Sequence, residues 1–246
     1  MTGLLIAVAA LWGAATGVLV PRAAYRFSVP EEENWRERCP GGHPFGGPAR
    51  GWLGPARCGH CAPTRAYGPS TPLVCLVTAL LCAGLAAATD TRPEVVVWLL
   101  SAPVWVLLAV VDLRVRRLPD VLTLPLAAAT LALLGAVTAV PEHTGHWPTA
   151  ALGALALGAG YLVLWLVNPG GMGFGDVKLA LGTGAALGWY GWGTVLLGTF
   201  AGFLLGALYG GALVVARRAG RKTAIPFGPF LIAGTYLGLL IGAYAA

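Results

Sequence analysis

Residues 95–117 read VVVWLLSAPVWVLLAVVDLRVRR. No charged side chain occurs from Val95 to Val111; then come Asp112 and three arginines within five residues, Arg114, Arg116 and Arg117. A helix needs roughly 20 mostly apolar residues to cross a bilayer core, and basic residues gather at the cytoplasmic end of such helices. The stretch therefore reads as a membrane span over 94–111 that ends on the cytoplasmic side, with a carboxylate at its inner edge.

The remainder of the chain repeats this pattern. Of its 246 residues, 57% are hydrophobic and 11% are charged, with a mean hydropathy of +0.74. Soluble domains carry about 25% charged residues. An ordinary cytosolic enzyme, a disordered chain, a coiled coil and a secreted disulfide scaffold are excluded, and five cysteines are an odd number for a complete disulfide framework. Apolar segments predict eight spans: 3–20, 71–89, 94–111, 121–140, 149–167, 178–190, 193–216 and 226–245. The sixth is short and rich in Gly and Ala, and its boundary near Trp189-Tyr190-Gly191-Trp192 fits an interfacial aromatic belt. The fold class is all-α, a polytopic membrane bundle of about eight helices with a small cytoplasmic Cys-containing insert. We divide it into a first transmembrane helix (1–20), the insert (21–70) and a membrane core (71–246). A signal peptide is disfavoured for the first segment, which lacks a basic stretch before its apolar run.

With eight spans, the loops 21–70, 112–120, 168–178 and 217–225 share one side. They hold 15 of the 16 basic residues, leaving only Arg92 opposite. These loops are expected to be cytoplasmic and both termini external. The net charge of +6 then records orientation, with some attraction to anionic lipid, rather than nucleic-acid binding. Glycines at 198, 202, 206 and 210, and at 234, 238 and 242, recur at four-residue spacing, which lets helices pack closely; we read packing alone there.

Ionisable groups near membrane depth are expensive and usually functional. Asp112 follows its apolar run, and Asp176 lies in Gly-Gly-Met-Gly-Phe-Gly-Asp-Val-Lys before the sixth span. Both are predicted at the cytoplasmic edge. Two adjacent carboxylates share a proton, so one can act as base on water while the other donates to a carbonyl. That is aspartic-protease chemistry and needs no metal or other cofactor. Three alternatives stay open at this point: Asp112 as a solvated helix end, Asp176 as a helix cap, and a proton-coupled carrier. Asp120, after Leu118-Pro119, is explained by a helix N-cap. Of the three serines none sits in a Gly-x-Ser-x-Gly setting, and His143 and His146 fall in an external loop.

The segments Asp112-Leu-Arg-Val-Arg-Arg-Leu-Pro-Asp120, Gly171-Met-Gly-Phe-Gly-Asp176-Val-Lys178 and Pro226-Phe-Gly-Pro-Phe230 resemble, in order, those of type IV prepilin peptidases. The resemblance implies a membrane aspartic endopeptidase with Asp112 and Asp176 as its catalytic pair. It would sit in the inner (plasma) membrane with its site facing the cytoplasm, and cleave the leaders of prepilin or pseudopilin partners after a glycine. Presenilin-type proteases share the Gly-x-Gly-Asp logic, but the Leu-Pro-Asp segment favours the prepilin branch. Many members also carry two Cys-x-x-Cys pairs that bind zinc and a second activity, N-methylation with S-adenosylmethionine. Here Cys58-Gly-His-Cys61 is intact, while Cys39-Pro-Gly-Gly42 has glycine where cysteine is expected, followed by His43. Cys39, His43, Cys58 and Cys61 are the expected ligands of a structural zinc, with His60 as competitor for the fourth place. The altered first pair, and Cys75 where the family usually places Glu, count against the methyltransferase.

Overall fold

The computed structural model describes residues 2–30, 32–61, 66–217 and 225–246. The elements are α1 (Thr2–Gly17), α2 (Val20–Phe27), the single turn α3 (Pro48–Gly51), α4 (Thr71–Thr89), α5 (Val95–Val115), α6 (Asp120–Val137), α7 (Trp147–Val167), α8 (Phe174–Trp189), α9 (Trp192–Val215) and α10 (Gly228–Ala245). Among the described residues no strand forms beyond an isolated bridge between Arg38 and Pro44. Each of the eight expected spans corresponds to a helix. Six of them, α4, α5, α6, α7, α9 and α10, are long and apolar enough to cross a membrane singly; α1 does so only together with α2, across a 42° bend. The eighth, α8, differs. Its 16 residues extend about 24 Å, short of a core about 30 Å thick. Twelve of those residues are buried, so its surroundings are protein.

The chain forms two compact units. The first comprises residues up to Thr91 and Trp98–Arg117. Gly13 and Gly17 seat α1 on α4: a Cβ at Gly13 would meet the Thr78 carbonyl oxygen at 2.5 Å, and one at Gly17 would meet Cys75 Cα at 2.8 Å. The Trp12 indole donates to the Leu99 carbonyl of α5 at 2.9 Å. Buried Cys82 is a packing residue of α4. The segment 21–70 holds most of α2 and the turn α3 joined by loops, and it has an aromatic centre. Phe27, Trp35 and Trp52 have ring centroids within 5.5 Å of one another, and Arg26 lies 3.7 Å over the Trp52 ring. Arg22 ties α2 to the loops through the carbonyls of Gly46, Leu53 and Pro55.

The second unit comprises Arg92–Val97 and Leu118–Ala246, and α8 is its central helix, packed on α6, α7, α9 and α10. Small residues make this approach possible. A Cβ at Gly153 of α7 would meet the Gly184 carbonyl oxygen of α8 at 2.5 Å. The two glycine stripes face each other: a Cβ at Gly234 of α10 would collide with the backbone of Gly198 and Gly202 of α9, and one at Gly202 would lie 3.1 Å from the Phe230 carbonyl oxygen. Their role is the packing expected of them.

The aromatic-belt reading needs one correction. Trp189 is fully buried beside His143, ring centroids 5.8 Å apart, whereas Trp192 is exposed. Trp189 closes a helix lined by protein, so it does not reach a lipid headgroup. The turn to α9 passes through Gly191 at φ 98°, a left-handed conformation that glycine adopts without strain. Of the 15 basic residues expected on the cytoplasmic side, Arg65, Arg218, Arg221 and Lys222 lie outside the described residues.

Candidate active site and metal centre

Asp176 lies in the first turn of α8. Gly173 is the N-cap residue of that helix and has extended backbone angles, so Asp176 is not the cap. A carboxylate here faces the positive end of the helix dipole, worth about 0.3–2 kcal/mol. Only 6% of Asp176 is exposed, and burial of an ion costs several kcal/mol, so the dipole offsets only part of the cost.

The glycines around Asp176 serve packing rather than an unusual backbone. Neither Gly173 nor Gly175 has a positive φ. A Cβ at Gly175 would meet Leu118 Cβ at 2.9 Å, so this glycine lets the first turn of α8 lie against the Leu118-Pro119 segment. Asp120 also departs from its expected role. The N-cap of α6 is Pro119, and Asp120 instead accepts from Lys178 Nζ at 2.6 Å. That ion pair joins the first turn of α6 to α8, directly after Asp176. Lys178 also lies 4.9 Å from the Phe174 ring centroid. In the sequence Lys178 stands out only as one of the basic residues expected on the cytoplasmic side.

In the other unit, α5 continues one turn past the expected end of the span. Asp112 lies within its last turn, and Arg116, at φ 53°, donates its amide to the Asp112 carbonyl oxygen and closes the helix. Asp112 is 4% exposed; a solvated helix-end residue would not be buried.

The insert brings Cys39, His43, Cys58 and Cys61 together, with one ligand atom from each lying within 4.8 Å of the others. The Cys39 and Cys61 sulfurs are 3.6 Å apart, and His43 Nδ1 lies 3.5, 3.8 and 3.4 Å from Cys39, Cys58 and Cys61. A tetrahedral zinc with Zn–S near 2.3 Å and Zn–N near 2.05 Å separates its ligands by about 3.8 Å (S to S) and 3.6 Å (S to N). These four separations lie within about 0.2 Å of the tetrahedral values, and all four ligand atoms lie within 4.8 Å of one another, so these residues could hold a metal ion. His60 is outside the set and stacks on the His43 ring, centroids 5.3 Å apart. Gly42, at φ 81°, turns the chain so that His43 fills the place of the missing cysteine. The Cys39 amide donates to the His43 carbonyl and the Gly42 amide to that of Cys39.

The thiols respond to this crowding. Burial opposes ionisation of Cys39, but hydrogen bonds from His43 and the Gly41 backbone outweigh it and lower the thiol to about 6. Cys61 is raised to about 11 by its hydrogen bond to Cys39, by burial and by Cys58. Cysteine binds a metal as thiolate, so an ion among these sulfurs would draw off the thiol protons.

These features define a multi-pass helical membrane protein with a buried aspartate in the last turn of α5, another in the first turn of α8, and a Cys3His cluster in its insert. The model of the type IV leader peptidase family matches residues 99–211. The prepilin leader peptidase/N-methyltransferase of Aeromonas salmonicida strain A449 is 37% identical over 201 residues, 78% of this chain and 64% of the relative. That of Pseudomonas aeruginosa is 35% identical over 198 residues, 76% and 62%. That of Pectobacterium carotovorum subsp. carotovorum is 31% identical over 205 residues, 78% and 67%. The chain belongs to the type IV leader peptidase family. It spans less than two thirds of the length of the Aeromonas and Pseudomonas relatives. No solved structure matches it.

Proposed function

We propose that the protein is a membrane aspartic endopeptidase that removes the leader of type IV prepilin-like proteins, with Asp112 and Asp176 as the catalytic pair. The observation that carries this reading is the burial of both aspartates, 4% and 6% exposed, inside the segment 99–211 that matches the family. One carboxylate takes a proton from water as the water oxygen attacks the scissile carbonyl. The other, protonated, hydrogen-bonds the carbonyl oxygen; the tetrahedral intermediate then collapses, the C–N bond breaking as the amine nitrogen takes a proton from the carboxyl pair. A coupled pair titrates as a unit, so neither aspartate is assigned one role.

The substrate's basic leader lies at the cytoplasmic face of the inner membrane while its apolar helix lies in the bilayer; Arg114, Arg116 and Arg117, just after Asp112, support this orientation. The Cys39/His43/Cys58/Cys61 cluster holds a structural zinc, whose closed four-ligand set supplies folding energy to the insert rather than a reactive metal-bound water. Membrane lipid and pilin-like substrates are the partners. Methyl transfer is not part of the proposal. His43 fills the place of the missing cysteine in the insert, but half-buried Cys75 of α4 still stands where the family places Glu.

The test is to incubate detergent-purified protein with a pilin-like substrate and sequence the product's N-terminus. A single new terminus directly after the leader glycine is expected. No cleavage, together with pH-driven flux in liposomes, would favour a carrier instead.

A further inference from the structure

Tyr161 is a buried polar residue that the chemistry above does not use. It lies on α7, 2% exposed, and its hydroxyl is buried without a hydrogen-bond partner among the described residues. Such a hydroxyl destabilises the fold, and phenylalanine would fill the same space without that cost.

The register of α7 on α8 places this hydroxyl. Gly153 of α7 faces Gly184 of α8, Gly158 faces Leu181, and the Trp165 ring meets the Phe174 ring at 5.1 Å. The helices therefore run antiparallel, and Tyr161, between Gly158 and Trp165, is level with the start of α8, where Asp176 lies. No hydrogen bond joins the Tyr161 hydroxyl to Asp176. The ring is held from its other sides by Phe203 at 5.8 Å and Phe227 at 6.0 Å. Phe227 belongs to the Pro226-Phe-Gly-Pro segment, so that segment fixes the ring.

We propose that the Tyr161 hydroxyl donates a hydrogen bond to the scissile carbonyl oxygen of a leader peptide bound at Asp176 and stabilises the oxyanion of the tetrahedral intermediate. This rests on the aspartic-peptidase reading. Water adds through its oxygen to the carbonyl carbon and gives its proton to one carboxylate. The carbonyl π pair moves onto the oxygen, which accepts from the phenol. The C–N bond then breaks and the amine leaves with a proton from the other carboxyl. The phenol keeps its proton throughout, so it is a fixed dipole aimed where charge develops.

Tyr161→Phe and Asp176→Asn are assayed in parallel on the full purified chain, with a full-length pilin-like protein as substrate. Loss of one oxyanion donor lowers kcat by about 100-fold or more. For Tyr161→Phe we expect that fall with KM unchanged, both limbs of the pH profile unmoved and thermal stability equal to or above wild type. Incorporation of 3-fluorotyrosine at position 161, which retains the hydroxyl, restores cleavage. Wild-type kcat in Tyr161→Phe, a loss confined to KM, a shift of the pH limbs, or a fluorotyrosine protein no faster than Tyr161→Phe would each overturn the proposal. Cleavage by Asp176→Asn at the wild-type rate would overturn the underlying peptidase reading; an inactive Asp176→Asn beside a fully active Tyr161→Phe overturns only the role of the phenol.

Discussion

Gly175 gives a sharp test of how the sequence positions Asp176. Replacing it by alanine puts a Cβ 2.9 Å from Leu118 Cβ, with Leu118 Cδ1 and Cγ at 3.4 and 3.5 Å. The nearest atom is the stem of the leucine, not its flexible end, so a rotamer change cannot relieve the contact; α8 or the Leu118-Pro119 segment must move. Overpacking of this kind costs about 1–3 kcal/mol. Asp176 follows Gly175 directly, and a displacement near 1 Å in a catalytic group lowers the rate by about 100-fold. Gly175→Ala should therefore lower both the thermal midpoint and the rate of leader cleavage. Leu118→Gly removes all three contacting atoms, at its own cost for a buried leucine. In the double variant the two changes should be less damaging than their sum by about 1–3 kcal/mol, the interaction energy of a double-mutant cycle. Additive effects, or a Gly175→Ala variant with wild-type stability and rate, would refute this account of the motif.

Two further outcomes are expected. Zinc analysis of the purified protein should give one ion per chain; Cys61→Ser should lose it and unfold the insert at a lower temperature, while the cleavage step stays near wild type when the insert is folded. Metal-free wild-type protein with a stable insert would contradict that. Lys178→Met removes the 2.6 Å pair with Asp120, whose carboxylate is 56% exposed, so its stability change should be below about 1 kcal/mol, measured by reversible denaturation.

The helices were legible because bilayer-length apolar runs stand out from loops that carry the arginines. Hydropathy could not show what surrounds each run. Lipid and protein interior are both apolar, so α8 read as a span with a headgroup-level tryptophan, although Trp189 is sealed inside protein. The glycine stripes announced close packing, and the structure adds that Gly198 and Gly202 face Gly234. At the metal cluster, spacing left His43 and His60 in competition; the turn at Gly42 and the stacking of the two rings place His43 among the sulfurs. The Asp120–Lys178 pair and the level of Tyr161 beside Asp176 depend on how helices far apart in sequence align, which no local pattern encodes. Asp112 and Asp176 themselves were readable as carboxylates at the ends of apolar runs, but their burial was not.

The central claim is that these two aspartates perform the hydrolysis. Its most direct test compares wild type, Asp112→Asn and Asp176→Asn for cleavage of a pilin-like substrate, with product sequencing and a melting curve for each protein. Asparagine keeps the shape of the side chain and removes its acid–base capacity. The account predicts folded variants whose rates fall by a factor on the order of 10⁴ or below detection. Near-normal cleavage by either folded variant would contradict it.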